Sequence, residues 1–359
     1  MTPGHWAQRP VEPRAFGPPP ARGLLRAQLE DFRVVEWLEV PWSDDGEHLW
    51  LWVEKRGANT DWVAKGLARH LGVPPKAVGY AGRKDRHGVT QQWFSVPWSN
   101  RGEAALAGLA LPGVEILSTR RHARKLKVGG LKGNRFAIVV RQVVGEDTAV
   151  EARLAQLGQM GVPNYFGDQR FGRDNHNLVA CGAWFDGQLR VKDRNRRSLY
   201  LSAARAALFN RVCAERVAGG TWNGLLPGDF AVFDQSQAGF VVAAVDDALE
   251  QRLARREIHP SGPLWGRGDP ATAGDVATLE AEQALAVAPL SRGLEAAGLR
   301  QERRALRLGI YDLTWHWQGR DLHLAFALTS GAFATAVLRE LITASVGEEE
   351  GEGGGVRDR

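Results

Sequence analysis

A single acidic residue stands at the centre of a basic segment, residues 81 to 96, which reads AGRKDRHGVTQQWFSV. Asp85 follows an arginine and a lysine and precedes an arginine and a histidine. Neighbouring positive charge favours the ionised form of a carboxyl group, so we expect Asp85 to be an anion at neutral pH. Such a carboxylate suits a nucleophile or a general base rather than a general acid. The alternative is an ordinary surface aspartate in a turn, whose salt bridges are incidental.

Two other short segments combine an aromatic ring with a polar group. Arg26 and Phe32 occur in GLLRAQLEDFRVVE, and Asn134 and Phe136 occur in KGNRF. An amide can read the edge of a nucleobase held outside its helix, and a ring can cover its face. The segments therefore favour a flat, polyanionic substrate. The alternatives are that both phenylalanines belong to the core and that Asn134 caps a turn.

Clustered positive charge predicts a polyanionic partner. The stretch from 120 to 135 contains seven Lys and Arg residues and no acid, and RVKDRNRR follows at 190 to 197. The net charge is +5, with a pI near 9.4. Basic strips on a moderately charged protein are typical of nucleic-acid binding, although one such run alone could be a solvated face.

The signatures of several common enzyme classes are missing. There is no G-x-x-x-x-G-K-[ST] loop, no G-x-G-x-x-G after a strand and no G-x-S-x-G, and the nine histidines show no metal-ligand spacing. Two cysteines are too few for a disulfide framework or a thiolate metal site. No apolar run reaches the roughly 20 residues of a membrane helix, and the N-terminus lacks a secretory h-region. We therefore expect a cytoplasmic enzyme without metal or cofactor.

The elements around Asp85 alternate between strand and helix patterns. A helix is expected from Asn59 or Thr60 to Gly72, with Trp62, Val63 and Leu67 on its apolar stripe. Strands are expected at 32–40, 48–56, 78–82 and 89–96. Asp85 therefore lies on a loop between two strands.

The remaining chain has strand patterns near its ends and helix patterns in its middle. Strands are expected at 134–143, 313–319 and 321–328, and helices at 201–220, 275–299 (broken at Pro289) and 330–344. Ser202 and Ser330 are the expected N-caps of two of these helices. The pattern predicts an α+β protein in which both ends of the chain build one domain and the middle is inserted.

Several segments in the same order resemble the TruD family of tRNA pseudouridine synthases, over nearly the whole chain. They include LEDFRVVE, YAGRKDRHGVTQQW, RKLKVGGLKGNRFAIVVR, GVPNYFGDQRFG, RNRRSLYLSAARAALFN and GAFATAVLREL. The resemblance implies isomerisation of a uridine in tRNA, at position 13 in the D-arm, to pseudouridine without metal or cofactor. It also implies that the carboxylate either attacks C1′ of the ribose or removes a proton from C2′, with the base flipped into a cleft between two domains.

The same resemblance implies roles for individual residues. It makes Asp85 the essential catalytic residue and Arg26 the cation beside it. The positions that contact base or ribose are Phe32, Asn134 and Phe333, and Phe136 matches a ring position that other pseudouridine synthases fill with tyrosine. We expect the following cations to contact RNA: Lys84, Arg120, Arg121, Arg124, Lys125, Lys127, Lys132, Arg170, Arg196 and Arg197. Arg303, Arg304 and Arg307 are further candidates, although QRFG could instead be a packing motif.

The implied fold is a pseudouridine synthase catalytic domain, with a mixed, largely antiparallel sheet and flanking helices, plus an inserted helix-rich TRUD domain. The catalytic domain is expected at 23–160 and 307–346 and the inserted domain at 161–306. An irregular arm is expected at 1–22 and a disordered tail at 347–359. Alternatives are a non-catalytic RNA-binding protein, a synthase acting on another RNA and, more remotely, a DNA glycosylase. We expect tRNA as the partner and a monomer.

Overall fold

A computed structural model of the chain describes residues 11–98 and 102–346. The strands are β1 Ala21–Leu25, β2 Phe32–Trp37, β3 His48–Arg56, β4 Gly79–Tyr80, β5 Val89–Pro97, β6 Val114–His122, β7 Gly133–Gly145, β8 Val162–Pro163, β9 Phe230–Phe233, β10 Gly239–Val241, β11 Ile258–His259, β12 Ser261–Leu264, β13 Glu302–Ala305, β14 Arg307–Leu308, β15 Tyr311–Gln318, β16 Asp321–Thr329 and β17 Ile342–Val346. The helices are α1 Thr60–Leu71, α2 Asp147–Met160, α3 His176–Phe185, α4 Arg194–Ala218, α5 Asp247–Ala254, α6 Gly274–Ala286, α7 Ala288–Ala296 and α8 Ala334–Leu341. The chain is therefore of the α+β class, as expected.

The chain divides into two compact units. One, here called the helical unit, comprises residues 1–19, 151–310 and 332–341, and the other, the sheet unit, comprises 20–150, 311–331 and 342–359. These limits differ from the expected domains chiefly at 151–160, at 307–310 and at α8, which belongs to the helical unit. The functional domain boundaries therefore stay a prediction. The expected tail at 347–359 and the first ten residues of the expected arm lie outside the described residues.

The sheet unit is built on ten strands. Seven follow the order β15-β16-β7-β2-β5-β3-β6, while β4 pairs with β5, and β1 pairs with both β7 and β17. All neighbours are antiparallel except β2 with β5 and β1 with β17. This is the mixed, largely antiparallel sheet that the sequence predicts. The alternation of Phe136, Ile138 and Val140 along β7 buries all three side chains.

Helix α1 covers part of this sheet because apolar residues recur on one side of it. Val63 and Leu67 are fully buried and pack with Leu51 of β3 and Phe94 of β5. The helix ends at Gly72, whose φ of 67° lies in the left-handed region that favours glycine. Trp62, which was expected on the buried stripe, is 43% exposed, since its position is turned away from the row formed by residues 63 and 67.

The helical unit is organised around the long helix α4. Helices α3, α6 and α7 pack on it, and its buried residues include Phe209, Leu208 and several alanines. The expected interruption of the helix near Pro289 is present. Helix α6 ends at Ala286, and the proline lies in the first turn of α7. Three small pairings, β9 with β10 and β11, β12 with β13, and β8 with β14, complete the unit.

Two expected helix starts are wrong. Ser202 lies inside α4, which begins at Arg194 because the side chain of Asp193 accepts a hydrogen bond from Arg196 N at 2.7 Å. Ser330 does not cap α8, because that helix begins four residues later, at Ala334.

The segment after α8 also differs from the expectation of a helix to residue 344. Residues 342–346 form β17 instead, paired in parallel with β1, since two β-branched residues at its start suit a strand edge. The last two residues of the expected irregular arm, Ala21 and Arg22, belong to β1. No helix of the described residues is long and apolar enough to span a membrane.

Candidate active site

The loop that carries Asp85 is held by strands on both sides. It leaves β4, which pairs with the end of β5, and returns into β5 itself. At its start Ala81 is buried in a cluster with Trp50 and Leu126. A short loop between paired strands can hold a carboxylate in one place while leaving it within reach of a substrate.

The cation that binds the Asp85 carboxylate comes from a distant part of the chain. Arg26 Nη2 donates to Asp85 Oδ2 at 2.6 Å, and the two side chains are 22% and 25% exposed. Arg26 follows β1 with a φ of 57°, a conformation that is uncommon outside glycine and recurs at functional sites. Its guanidinium lies 4.2 Å over the ring of Phe32. The strained turn after β1 therefore brings Arg26 into contact with both Asp85 and Phe32.

The basic neighbours of Asp85 in the sequence point elsewhere. Arg83 Nε is 3.0 Å from Asp61 Oδ2, and Arg86 Nε donates to a backbone carbonyl at 3.3 Å. The sequence interpretation, in which the flanking cations hold the carboxylate ionised, is therefore corrected for these two arginines. Arg26 supplies the close positive charge instead.

Lys84 is part of the interior and not of the surface. Its Nζ lies 2.8 Å from Glu36 Oε1, and the two side chains are 3% and 0% exposed. Glu36 Oε2 also accepts from Trp93 N at 2.9 Å. Burial raises the pKa of Glu36, while Lys84 acts in the opposite direction. A buried, paired ammonium is not available to a phosphate, so the structure replaces the expected RNA contact of Lys84 with a role in fixing the loop to β2.

Lys55 is a second buried lysine, which the sequence interpretation missed. Its Nζ donates to Ala58 O at 2.7 Å and to the backbone oxygen of Asp85 at 2.8 Å. Burial lowers the pKa of Lys55 to about 8, although the charge of Asp85 acts to raise it. The signal was present in β3, where residues 49, 51 and 53 alternate inward and the same period places Lys55 on the buried face.

Buried polar side chains complete the support of the loop. Thr60 Oγ1 donates to Gln92 Oε1 at 2.9 Å and accepts from Lys84 N at 3.0 Å. Gln92 Nε2 donates to Gly82 O at 3.1 Å. Each of these polar groups has a hydrogen-bond partner in the network. The bond from Lys84 N to Thr60 Oγ1 fixes the loop backbone at the residue before Asp85.

The aromatic residues predicted beside the substrate are largely buried. The rings of Phe32 and Phe136 meet edge to face with centroids 6.2 Å apart, and Phe136 stacks on Phe326 at 5.4 Å. On the same face of β7, two residues before Phe136, lies Asn134. Its Oδ1 is shielded from solvent and has no hydrogen-bond partner among the described residues. A shielded acceptor of this kind carries a desolvation cost until a donor reaches it.

Phe333 belongs to the helical unit. It precedes α8, is half-buried and packs against the core of that unit. The guanidinium of Arg170 lies 5.9 Å from the centroid of its ring. The sheet unit alone therefore brings together Arg26, Phe32 and Asp85, and holds Asn134 and Phe136 on β7.

Comparison with known proteins decides the family. The family model described as tRNA pseudouridine synthase D (TruD) matches residues 12–185 and 176–341. A tRNA pseudouridine synthase D of Nitrosococcus oceani is 48% identical over 333 residues, covering 91% of this chain and 93% of the relative. The chain belongs to the TruD family.

Other comparisons agree with this assignment. The TruD relative from Azotobacter vinelandii is 46% identical over 331 residues, covering 92% of this chain and 94% of its own. The crystal structure of a putative tRNA pseudouridine synthase D from Methanosarcina mazei is 20% identical, with a TM-score of 0.73 over 92% of this chain and 96% of that one. The latter shows that the TruD fold is shared. The family resemblance and the expected class of enzyme, a pseudouridine synthase, are thus confirmed.

The basic run of this TruD protein divides into paired and exposed cations. Arg120 is bound by Asp44, Arg121 Nη2 donates to Gly46 O at 2.6 Å, Lys125 donates to a backbone oxygen and Lys132 is bound by Glu39. Arg124 and Lys127 are exposed. The last two are the members of the run that are most open to a polyanion.

The second basic run starts α4. Arg196 and Arg197 lie in its first turn and are exposed, and Arg197 Nε donates to Val191 O at 2.7 Å. Among the described residues no group of three or more His, Cys, Asp or Glu side chains is placed to hold a metal ion.

Proposed function

We propose that this TruD protein converts uridine 13 in the D-arm of tRNA to pseudouridine, with Asp85 as the catalytic carboxylate. The observation that carries the proposal is the partly exposed Asp85 carboxylate, bound by Arg26 at 2.6 Å and held from behind through its backbone by Lys55. The carboxylate is thus fixed in position and partly exposed to solvent. The names of the relatives, which are tRNA pseudouridine synthases, supply the substrate class.

Two routes give the same isomerisation. In the first, an Asp85 oxygen bonds to C1′ while the bond from C1′ to N1 breaks; the uracil turns, C5 attacks C1′ and the carboxylate leaves. In the second, the carboxylate removes the C2′ proton as uracil departs, and the proton returns when C5 bonds to C1′. In both, C5 loses a proton and N1 gains one. Arg26, which donates to Asp85 Oδ2 at 2.6 Å, holds the carboxylate in position before either step.

The base must be held while it is detached from the ribose. The shielded Oδ1 of Asn134 is suited to accept the N3–H of uracil, which would relieve its desolvation cost. We propose that Phe32 and Phe136 line the place where the base is held and that the base leaves its helix to reach it, since stacking contributes about 1–3 kcal/mol per base. The proposed contact of Phe333 rests on the family resemblance.

The proposal is tested with unmodified tRNA transcripts. The protein, in EDTA and without added nucleotide, should form one pseudouridine at position 13, measured by chemical mapping of pseudouridine. A transcript with cytidine at position 13 is the matched control and should stay unmodified. Modification at another position, or only of another RNA, would contradict the proposed substrate.

Lys55→Met should lower kcat by about 100-fold with a small change in KM. The variant keeps the apolar stem but loses both hydrogen bonds that fix the backbone of Asp85, and small displacements of a catalytic group cost rates of this order. Single-turnover kinetics measure the effect. Lys65→Met, on the exposed side of α1, is the control and should retain full activity.

The titration of Lys55 tests the burial of its ammonium group, independently of any measurement of activity. Its pKa is about 8 in the folded protein and about 10.4 when unfolded. Between these values the unfolded chain binds more protons, so this group adds stability as pH rises. Urea unfolding should therefore show the wild type gaining stability relative to Lys55→Met from pH 7.5 to 9.5. A constant difference between the two proteins would show that Lys55 does not titrate in this range.

The double variant Arg124→Glu, Lys127→Glu should weaken tRNA binding by about 10-fold or more in low salt and flatten its salt dependence. Each lost phosphate contact lowers the slope of log K against log salt by about 0.7–0.9. Lys65→Glu and Arg69→Glu, two exposed cations on α1, make the same charge change elsewhere. An unchanged slope in the first variant would place the 120–135 run away from the RNA.

A further inference from the structure

The turn that carries Arg26 is held at both ends by one residue of the neighbouring strand β7. This turn, residues 26–31 and here called the Arg26 turn, connects β1 to β2. Leu24, two residues before it, lies opposite Arg141 in the pairing of β1 with β7. At the far end, Arg141 Nε and Nη2 donate to Asp31 Oδ1 at 2.9 and 2.6 Å. The backbone of Arg141 therefore faces the start of the turn, and its side chain fixes the end.

Asp31 is enclosed and depends on this contact. Its side chain is 0% exposed, and its second carboxylate oxygen, Oδ2, accepts from Gln28 N at 3.0 Å. Asp31 N donates to Gln28 O at 3.1 Å, so the two residues close the end of the turn. A buried carboxylate is stable only when a cation and hydrogen bonds compensate for its lost water. Arg141 supplies that cation.

Arg141 is itself directed by a second carboxylate. Its Nη1 donates to Asp321 Oδ2 at 2.8 Å, and Asp321 Oδ1 accepts from Gln142 N at 2.9 Å. The bond from Gln142 N and the pairing with Arg141 lower the pKa of Asp321. The bonds to Asp31 and Asp321 raise the pKa of Arg141. A planar guanidinium bound to two carboxylates has one orientation, so Arg141 presents Nε and Nη2 to Asp31 in a fixed direction.

The Arg26 turn needs such support because it contains a strained residue. The φ of Arg26 is 57°, a conformation that persists in an arginine only where the surrounding structure imposes it. Another ion pair of the turn, between Glu30 and Arg56, is 42% exposed on both sides, and exposed pairs contribute little to stability. The enclosed pair of Arg141 with Asp31, here called the anchor, is therefore the stronger restraint.

We propose that Arg141 and Asp31 are positioning residues of the candidate active site. They hold the Arg26 turn so that the guanidinium of Arg26 meets the carboxylate of Asp85 at the observed 2.6 Å. Asp321 sets the direction of Arg141 and completes the arrangement. The inference deepens the proposed function and rests on it for the reaction that the positioned carboxylate performs. The anchor acts through Arg26 and not on the substrate.

Two double variants test the inference. Asp31→Asn, Arg141→Met, the anchor variant, leaves neither member of the pair charged, so the protein should fold. Asp147→Asn, Arg320→Met is the matched control, because Arg320 binds Asp147 at 2.8 Å and the backbone of β7 at 2.9 Å in the same unit. Each variant loses one arginine, one aspartate and one ion pair, and keeps the net charge of the protein.

The anchor variant should lower kcat by about 10- to 100-fold, because small displacements of groups beside the reacting atoms cost rates of this order. The KM for tRNA should stay within about threefold of the wild type in both variants, since the net charge that attracts RNA is unchanged. The control variant should also keep kcat within about threefold. Steady-state kinetics measure both constants. An equal loss of kcat in the two variants, or no loss in the anchor variant, would overturn the inference.

A second background separates positioning from general stability. Both double variants are combined with Arg26→Met and assayed under single-turnover conditions, in which slow rates can be followed for hours. If the anchor acts through Arg26, its loss should change the rate of Arg26→Met by less than about twofold, since coupled residues are not additive. A fall by the same factor in both backgrounds would contradict the inference and make Arg141 a residue of general stability.

Crystal structures of the two double variants without RNA give a readout that does not depend on the reaction. The contact between Arg26 and Asp85 should be intact in the control variant and longer than about 4 Å, the limit of an ion pair, in the anchor variant. An intact contact in both would overturn the inference. If the contact is lost only in the anchor variant while the wild type forms no pseudouridine, the proposed function fails and the positioning role of the anchor stands.

Discussion

Asp85→Asn should lower pseudouridine formation by at least about 10⁴-fold, the order of loss found when an enzyme loses its nucleophile or base. The amide keeps the shape of the side chain and an acceptor for Arg26, but it has no negative charge with which to attack C1′ or remove a proton from C2′. Because Asp85 contributes no positive charge to RNA binding, Kd for tRNA should stay within about threefold of the wild type. Single-turnover assays and filter binding on the same protein measure both.

Asp61→Asn is the control for this experiment. Asp61 is an exposed carboxylate that binds Arg83 and Tyr80 close to the same loop, so its loss tests whether any nearby acid would have the same effect. It should retain most of the activity. Turnover above about 1% in Asp85→Asn would remove Asp85 from the chemistry. Tight tRNA binding by an inactive wild type would instead favour the non-catalytic RNA-binding alternative.

Lys84→Met should destabilise the protein by about 3–5 kcal/mol, because it leaves Glu36 buried without its partner. The pair is almost fully enclosed, and Lys84 also holds the loop next to Asp85. Urea unfolding at pH 7 measures the loss. A carboxyl group whose pKa is higher in the folded than in the unfolded state gains stability as pH falls, and burial raises the pKa of Glu36; the deficit of Lys84→Met should therefore shrink towards pH 5.

The double variant Glu36→Gln, Lys84→Met distinguishes two roles of Lys84, its ion pair with Glu36 and a contact with RNA. It should recover much of the stability lost in the single variant, since no buried charge is left unpaired. If Lys84 has no part in RNA binding, the double variant should also keep the salt slope of the wild type. A reduced slope would return Lys84 to the RNA-contacting cations, and a loss below about 1 kcal/mol in the single variant would show that the pair is solvated.

Much of the fold near Asp85 follows from local sequence. The alternation in HLWLWVEKR gives β3 with its observed bounds, and the helix signals from Asn59 to Gly72 give α1. These elements are predictable because side-chain periodicity and a left-handed glycine act over a few residues. The expected N-cap of α4, Ser202, lies nine residues after the observed N-cap, Asp193, because the alanine-rich core segment gives a stronger pattern than the exposed, arginine-rich first turns.

The partners of charged residues, in contrast, do not follow from local sequence. A lysine next to Asp85 in the sequence points inward to Glu36, while the cation that reaches the Asp85 carboxylate is Arg26, 59 residues away. Nothing in the local sequence pattern distinguishes these two cations, because the direction of each side chain depends on how its segment of backbone is placed against the sheet. Lys55 differs from these two cations, because the alternation of β3 already places it on the buried face; only its hydrogen bond to the backbone oxygen of Asp85 required the tertiary structure.

The sequence by itself determined the family, the class of fold, the elements around Asp85 and the residue types available for catalysis, because these depend on composition, short-range periodicity and ordered motifs. Only the tertiary structure decided which cation meets the carboxylate, that Lys84 is paired with Glu36 in the interior and that Lys55 binds the backbone of Asp85. Those facts depend on contacts between segments far apart in the chain, and on burial, which sets whether a charge faces water, a carboxylate or neither.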